Sequence, residues 1–286
     1  MRLSVAMATL NAGRFLAEAL ASVRHGATTC GIGCEILVAD GGSRDDTLAI
    51  AEATPDTRVV SRADGGIYDG MNQALAAASG ELVMIVNSDD LLVAENLSPA
   101  LRQLAGAPDH GFLSGDMLFG PSREGAALRL NTRPLSVEGA FCGIPAINAR
   151  IFRRDFLRRI GPLRTDLGLA SDRDFLARVA RSGARGVHFG APLYFYRVHT
   201  GSSTIAGDLG ARHRIYRADM QLAAAYEADP GRDPEFMQIT RANAAVSAVK
   251  ARITRASATP RPVTGPGDLL RGLALLRRWR GRMAGY

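Results

Sequence analysis

The chain is poor in lysine, in cysteine and in long apolar runs, and each shortage removes a class of protein. No apolar stretch in the 286 residues reaches the roughly 20 that a bilayer-spanning helix needs. The opening Met1-Arg2-Leu3-Ser4-Val5-Ala6-Met7 turns polar too soon for a signal peptide and reads as the first strand of a fold. Cys30, Cys34 and Cys142 are an odd number of cysteines. No His or further Cys beside Cys30 and Cys34 completes a zinc set, so reduced thiols in a cytosolic protein are expected. Lys250 is the single lysine against 34 arginines, a bias of coding rather than of chemistry. There is no G-x-G-x-x-G after a strand, because Gly41-Gly42-Ser43 lacks the third glycine and the spacing, and a dinucleotide site is thereby excluded. The absence of G-x-x-x-x-G-K-[ST] excludes nucleotide hydrolysis of the P-loop kind. No internal repeat is present.

What is there is an ordinary globular composition, 47% hydrophobic and 22% charged, in a chain long enough to bury a substantial core. The net charge of +7 is unevenly placed. Residues 1–205 hold 21 arginines and 21 acids, whereas residues 206–286 hold 14 basic residues against 7 acids. The chain is therefore expected to comprise a main domain over 1–205, with halves of about 1–107 and 108–205, and a basic, mainly helical region over 206–286.

Strands and helices alternate through the first hundred residues. The apolar runs at 3–8, 35–39, 58–61 and 82–86 read as buried strands. Amphipathic segments at 13–24, 44–53 (capped by Ser43) and 68–78 read as the helices between them. This rhythm predicts a doubly wound α/β sheet. From Pro108 the pattern loosens into short apolar pieces at 111–118, 126–130 and 141–152. A helix is expected at 172–182 and a strand at 192–197. An Ala/Arg-rich helical stretch follows at 208–256, then a Pro/Gly linker at 259–267 and a last helix at 268–283.

Polar residues cluster where the strands end, and in open α/β sheets the functional crevice lies beyond the carboxyl ends of the strands. Thr9-Leu10-Asn11 ends the first strand and Asp40 the second; Asp64-Gly65-Gly66-Ile67-Tyr68-Asp69-Gly70-Met71-Asn72 follows the third, and Asn87-Ser88-Asp89-Asp90 the fourth. Each alone is compatible with a loop or a helix cap, but four in one unit are not explained by caps. A carboxylate such as Asp40 can accept a hydrogen bond from a base or a ribose hydroxyl. Adjacent Asp89 and Asp90 repel each other unless a cation intervenes, and hard oxygen ligands select Mg²⁺ or Mn²⁺.

The segments Ser4–Asn11, Val38–Thr47, Asp64–Asn72 and Asn87–Asp90, in this order, resemble the successive motifs of family 2 glycosyltransferases, and the likeness extends over about residues 3–205. It implies a GT-A fold: a Rossmann-like, mostly parallel central sheet flanked by helices, here with a helical C-terminal extension. The implied activity is inverting, metal-dependent transfer of a sugar from a nucleotide-sugar donor, most often a UDP-sugar, to a hydroxyl of a glycan or lipid-linked acceptor in cell-surface polysaccharide or glycolipid synthesis. By the same resemblance Thr9 and Asn11 lie against the nucleobase and ribose, Asp40 reads the base, Asp64 lies near the nucleotide, and Asp89 binds Mn²⁺ or Mg²⁺. Asn87 stands where the family's first metal-motif acid is found, and Asn148 where related sequences often carry a His. Asp172, in Ser171-Asp172-Arg173-Asp174, matches the catalytic base, although Asp172 and Asp174 also suit the head of a helix. In Tyr196-Arg197-Val198-His199, His199 could ligate the metal or touch the diphosphate, or serve the fold alone, and Arg197 could offset diphosphate charge.

Residues 268–286 gather Leu269, Leu273, Leu276, Trp279 and Met283 on one side and Arg271, Arg278 and Arg282 opposite, with Arg280 breaking the apolar stripe. Such a helix suits an anionic membrane surface, which would make the protein peripheral on the inner face of the cell membrane; packing on the parent domain or across a homodimer is the alternative. The balanced charge of residues 1–205 argues against nucleic acid as a partner. Two rival functions remain: a sugar nucleotidyltransferase, which would carry a Gly-rich, basic signature in place of Thr9–Arg14, and an inactive transferase-like scaffold.

Overall fold

The computed structural model describes residues 1–61, 65–125, 128–130, 135–142, 147–201, 209–229, 231 and 233–253. Among these, nine strands are present: β1 (Arg2–Thr9), β2 (Gly33–Asp40), β3 (Thr57–Ser61), β4 (Leu82–Ile85), β5 (Leu91–Leu92), β6 (His110–Gly120), β7 (Leu128–Leu130), β8 (Arg150–Arg153) and β9 (Arg185–Arg197). The described α-helices are α1 (Gly13–Cys30), α2 (Thr47–Ala53), α3 (Ile67–Ala76), α4 (Leu97–Ala105), α5 (Val137–Cys142), α6 (Arg154–Ile160), α7 (Ser171–Arg181), α8 (Leu209–Ala228) and α9 (Pro234–Ile253). The chain forms two compact units. One comprises Met1–Arg133, Ala146–Thr165 and Gly183–Val198; the other Pro134–Pro145, Asp166–Ser182 and His199–Tyr286. They are interleaved along the sequence, whereas the charge balance divides it once, at 205.

The first unit holds the whole sheet, ordered β3-β2-β1-β4-β8-β6-β9-β5, with β7 paired to β6. Strands β3, β2, β1 and β4 are parallel, and the apolar runs of β2, β1 and β4 suit the interior of such a sheet. Leu3, Val5, Ala6 and Met7 of β1, and Val83, Met84 and Ile85 of β4, are fully buried whichever face they point to. Beyond β4 the sheet becomes mixed: β8 runs antiparallel to both β4 and β6, while β6 and β9 are parallel. Chain order reverses between β1 and β4, which makes this the topological switch point.

Several sequence boundaries shift for local reasons. Helix α1 runs on to Cys30 and stops at Gly31, whose φ of 63° is the left-handed turn that glycine adopts without strain. Helix α2 starts at Thr47 rather than at Arg44, because Ser43 and Asp45 are engaged elsewhere: Ser43 bonds to Asp40, and Asp45 accepts from the backbone of Gly13 and Thr47. At the opposite edge of the sheet Glu35 gathers β1, β2 and the turn before β4. It accepts from the Ser4 hydroxyl at 2.5 Å and from the Ser79 hydroxyl and amide at 2.8 and 2.7 Å. These donors and the nearby Arg2 overcome the effect of burial and hold the Glu35 carboxyl down at about 2. Gly80 is fixed here by space, since a Cβ would stand 2.7 Å from the Arg2 carbonyl oxygen.

The second unit contains α5, α7, α8 and α9. The stretch expected as one helical segment at 208–256 is two helices separated by Asp229–Asp233, and α8 and α9 pack on each other. Phe141, Tyr226 and Phe236 meet edge to face, with centroids 5.3–6.1 Å apart. No described helix is long and apolar enough to cross a membrane. The linker expected at 259–267 and the helix expected at 268–283 lie outside the described residues.

Candidate active site

Strands β2, β1 and β4 are adjacent and parallel, so the loops after Asp40, Thr9 and Ile85 open on one edge of the sheet. Thr9 and Asp40 are directly paired in the β1–β2 register, and the Thr9 hydroxyl donates to the Asp40 carboxylate at 3.0 Å. Asp40, 1% exposed, also accepts from the Gly42 amide (2.9 Å), the Ser43 amide (2.8 Å) and the Ser43 hydroxyl (2.5 Å). Burial alone would raise its pKa; these four donors outweigh burial and hold the carboxyl below its ordinary value. The four bonds occupy the acceptor capacity of a carboxylate. Asp40 therefore fixes the shape of the turn 41–43.

The β1–α1 loop is clasped to that turn. The Asn11 amide donates to the Ser43 hydroxyl at 2.7 Å, and the Arg44 amide to the Asn11 side-chain oxygen at 2.9 Å. These bonds hold Asn11 at a φ of 50°, a left-handed conformation that asparagine tolerates better than most residues. Leu10, between them, is 62% exposed. Asp64 falls outside the described residues.

On the other side of the switch point the chain leaves β4 through Val86 and turns at Asn87–Asp90. Asp90 is buried and its two oxygens are taken. One accepts from the Tyr194 hydroxyl (2.6 Å) and the Asn87 amide group (3.1 Å), the other from the Arg197 backbone (2.8 Å). Burial first, and then the charge of Asp89, push the Asp90 carboxyl upward. Arg197 donates to the Asp89 carbonyl at 3.0 Å and to Glu18 at 2.6 Å, and its guanidinium lies 4.9 Å from the centre of the Phe15 ring. Asn148 donates to the side-chain oxygen of Asn87 at 3.1 Å, so the two positions that depart from the family pattern touch each other. Asp89 itself is half-buried at the tip of this braced turn.

Among the described residues no group of three or more His, Cys, Asp or Glu side chains could hold a metal ion. The turn therefore does not form a closed protein cage. One carboxylate at a strand end fits the way Mg²⁺ or Mn²⁺ is held in phosphate-binding enzymes, where substrate phosphates and water complete the shell.

In the second unit, Asp172 and Asp174 share the first turn of α7 but differ in environment. Asp174 is buried, accepts the Tyr226 hydroxyl at 2.5 Å and pairs with Arg178 at 2.9 Å, so it is committed to packing. Asp172 accepts from the Arg173 backbone at 2.8 Å. Burial, partly offset by Arg173, pushes its carboxyl up to about 7, where a general base works best at neutral pH. His199, half-buried, accepts from the Gly201 amide through its Nδ1 at 3.1 Å. Sequence reasoning missed Tyr194 and the part played by Asp90, because β9 reaches the turn from more than a hundred residues away.

Comparison with known proteins bears on the family and the fold. Residues 4–140 match the family described as glycosyl transferase family 2. An uncharacterised glycosyltransferase of Mycobacterium tuberculosis is 31% identical over 154 residues, 51% of this chain and 57% of that one. The chain thus spans little more than half the length of these relatives. A glycosyltransferase of PGL/p-HBAD biosynthesis from Mycobacterium bovis is 28% identical over 183 residues, 61% of this chain and 68% of that one. Among solved structures, Staphylococcus aureus TarS 1–349 in complex with UDP-GlcNAc superposes with a TM-score of 0.68 at 18% identity, over 96% of this chain and 80% of that one. The mannosyltransferase PcManGT of Pyrobaculum calidifontis, in complex with GDP-Man and Mn²⁺, gives 0.61 at 23% identity, over 99% and 84%. The fold is the GT-A fold of glycosyltransferases. Residues 4–140 carry the likeness to glycosyl transferase family 2.

Proposed function

We propose that the protein is a metal-dependent inverting hexosyltransferase that moves a sugar from a nucleotide-sugar donor, a UDP-sugar foremost, to a hydroxyl of a glycan or lipid-linked acceptor. The observation that carries this reading is the pair of braced loops, 9–13 with 40–47 and 87–90, flanking the switch point between β1 and β4. Two similar folds were solved with nucleotide sugars, one of them with Mn²⁺, which supports a donor of this class. The mycobacterial relative of PGL/p-HBAD biosynthesis supports a glycolipid or surface glycan as the acceptor class.

In this reading Thr9, Asn11 and the turn held by Asp40 shape the nucleoside subsite, with Asp64 and Asn87 beside it. Asp89 would hold the divalent ion, with His199 a candidate second ligand. When bound, the ion neutralises charge on the departing nucleoside diphosphate. Asp172 takes the proton from the acceptor hydroxyl as its oxygen attacks the anomeric carbon. The bond from that carbon to the diphosphate breaks in the same displacement, and the configuration inverts. General-base assistance is worth ~10²–10⁴ in rate, or roughly 3–5 kcal/mol of barrier. The C-terminal residues 268–286 would place the enzyme on the cytoplasmic face of a membrane or join two copies.

A thermal-shift screen of UDP, UDP-glucose, UDP-GlcNAc and GDP-mannose, with and without Mn²⁺, tests the donor assignment. A ligand at 100 times its dissociation constant stabilises by about 2.7 kcal/mol. A UDP-sugar shift that requires Mn²⁺ and vanishes in Asp89→Ala is the expected result. If no nucleotide sugar stabilises the chain with or without the ion, the reading is wrong.

A further inference from the structure

We propose that Asp219 on α8 is a positioning residue for Asp172, holding Arg173 in place and offsetting its charge so that Asp172 remains an effective proton acceptor. This rests on the reading of Asp172 as the base and extends the working parts of the enzyme to helices beyond the family-matching residues 4–140.

The geometry is a chain of contacts that runs through Arg173 and Asp219. The Arg173 guanidinium lies 3.3 Å from Asp219 and donates to the carbonyls of Phe141 and Ala140, at 2.6 and 3.4 Å, near the end of α5. Asp219 is 4% exposed, and its second oxygen accepts the Ser247 hydroxyl of α9 at 2.7 Å. Arg173 also carries the backbone amide that donates to Asp172, so whatever fixes Arg173 fixes the turn that presents the base. One ion pair therefore joins α5, α7, α8 and α9 at the residue next to Asp172.

The electrostatic consequence follows from position. An arginine adjacent to a carboxylate stabilises the ionised form and weakens it as a base. Arg173 draws the Asp172 carboxyl down, while Asp219 pushes it up. Of the acids on the packed elements, Asp174 pairs with Arg178 and accepts from the Tyr226 hydroxyl, and Glu227 of α8 pairs with Arg241 of α9. Glu138 on α5 is the remaining acid of that helix. Arg173 and Asp219 are the neighbouring side-chain charges that act on Asp172. Because they are paired with each other, neither acts on Asp172 at full strength.

The test is a ¹³C titration of aspartate carboxyls in the full chain, the Asp172 signal being the one absent from Asp172→Asn. In Asp219→Asn, which preserves shape, the Asp172 midpoint is expected to fall by about one pH unit, a tenfold loss of proton affinity. In Arg173→Gln the midpoint is expected to rise. A part confined to folding would not move the two in opposite directions. An unmoved midpoint in Asp219→Asn overturns the proposal. Should that variant not fold, a midpoint in Arg173→Gln that does not rise overturns it equally. Full turnover in Asp172→Asn would instead remove Asp172 as the base, and with it the catalytic meaning of the network, whatever the titration shows.

Discussion

The hydroxyl of Tyr194 donates to Asp90 at 2.6 Å and accepts the backbone amide of Asn87 at 3.1 Å. A single fully buried side chain on β9 thereby fixes both ends of the turn that presents Asp89. Removing the hydroxyl leaves a buried carboxylate and a buried amide each short of a partner, at a cost of about 1–3 kcal/mol. Tyr194→Phe is expected to lower the melting temperature and to weaken Mn²⁺-dependent nucleotide binding by calorimetry, while the far-ultraviolet circular dichroism is unchanged. Unaltered binding would show that the turn holds its shape without this brace.

Asn87 donates to Asp90, and an acid at this position could not. Asn87→Asp would set a third carboxylate against Asp89 and Asp90. Without metal this variant is expected to be less stable than the parent by ~1–3 kcal/mol, from repulsion and the lost bond. Mn²⁺ is expected to recover that loss, giving the variant a larger metal-induced rise in melting temperature than the parent. Equal rises in the two proteins would argue that the ion does not bind at this turn.

With Asp172 as the proposed base, activity and stability are linked with a definite sign. Its folded-state pKa of about 7 lies above the ordinary 3.8, so the folded chain binds the extra proton between these values. Stability from this group therefore falls as pH rises from about 4 to about 7, and the full cost persists above 7. Asp172→Asn is expected to be more stable than the parent at pH 8, by about 1–3 kcal/mol, and nearly equal to it at pH 4. The same variant should lose ~10²–10⁴ in turnover, read as release of nucleoside diphosphate. Parent turnover should rise with pH through about 7 as the base loses its proton.

Glu35 runs the other way. Its carboxyl is depressed from 4.5 to about 2, so its contribution is complete above the higher value and is lost as pH falls through the lower. Glu35→Gln is expected to cost about 1–3 kcal/mol near pH 7. Urea denaturation at a series of pH values should show that deficit shrinking towards pH 2; a constant deficit would mean that charge is irrelevant at this junction.

The parallel half of the sheet was legible because β1, β2 and β4 each carry an apolar run that is followed at once by a polar turn. The site loops were legible for the same reason, since a strand end locates its loop. The mixed half was legible only in part, at 192–197. Strands β6 and β9 carry His110, Gly111, Gly115, Asp116, Gly186, His188 and Gly190, which break any apolar run, and they are assembled by pairing over long sequence separations. The turn at Ser43–Asp46 was misread as a helix start because its side chains look like caps and are in fact bonded across to Asp40, Asn11 and Gly13. Asp172 and Asp174 look alike in sequence; only the positions of Tyr226 and Arg178 tell them apart.

The place of β4 between β1 and β8 has a consequence for how the chain can be made. When the ribosome has delivered residues 1–85, β4 can already pair with β1, yet its other edge has no strand to meet until residues 150–153 emerge. A bare, wholly apolar edge invites pairing with a foreign chain. The nascent polypeptide must therefore be shielded over that interval, and a fragment ending near residue 107 should precipitate rather than serve as a free-standing nucleotide-binding module.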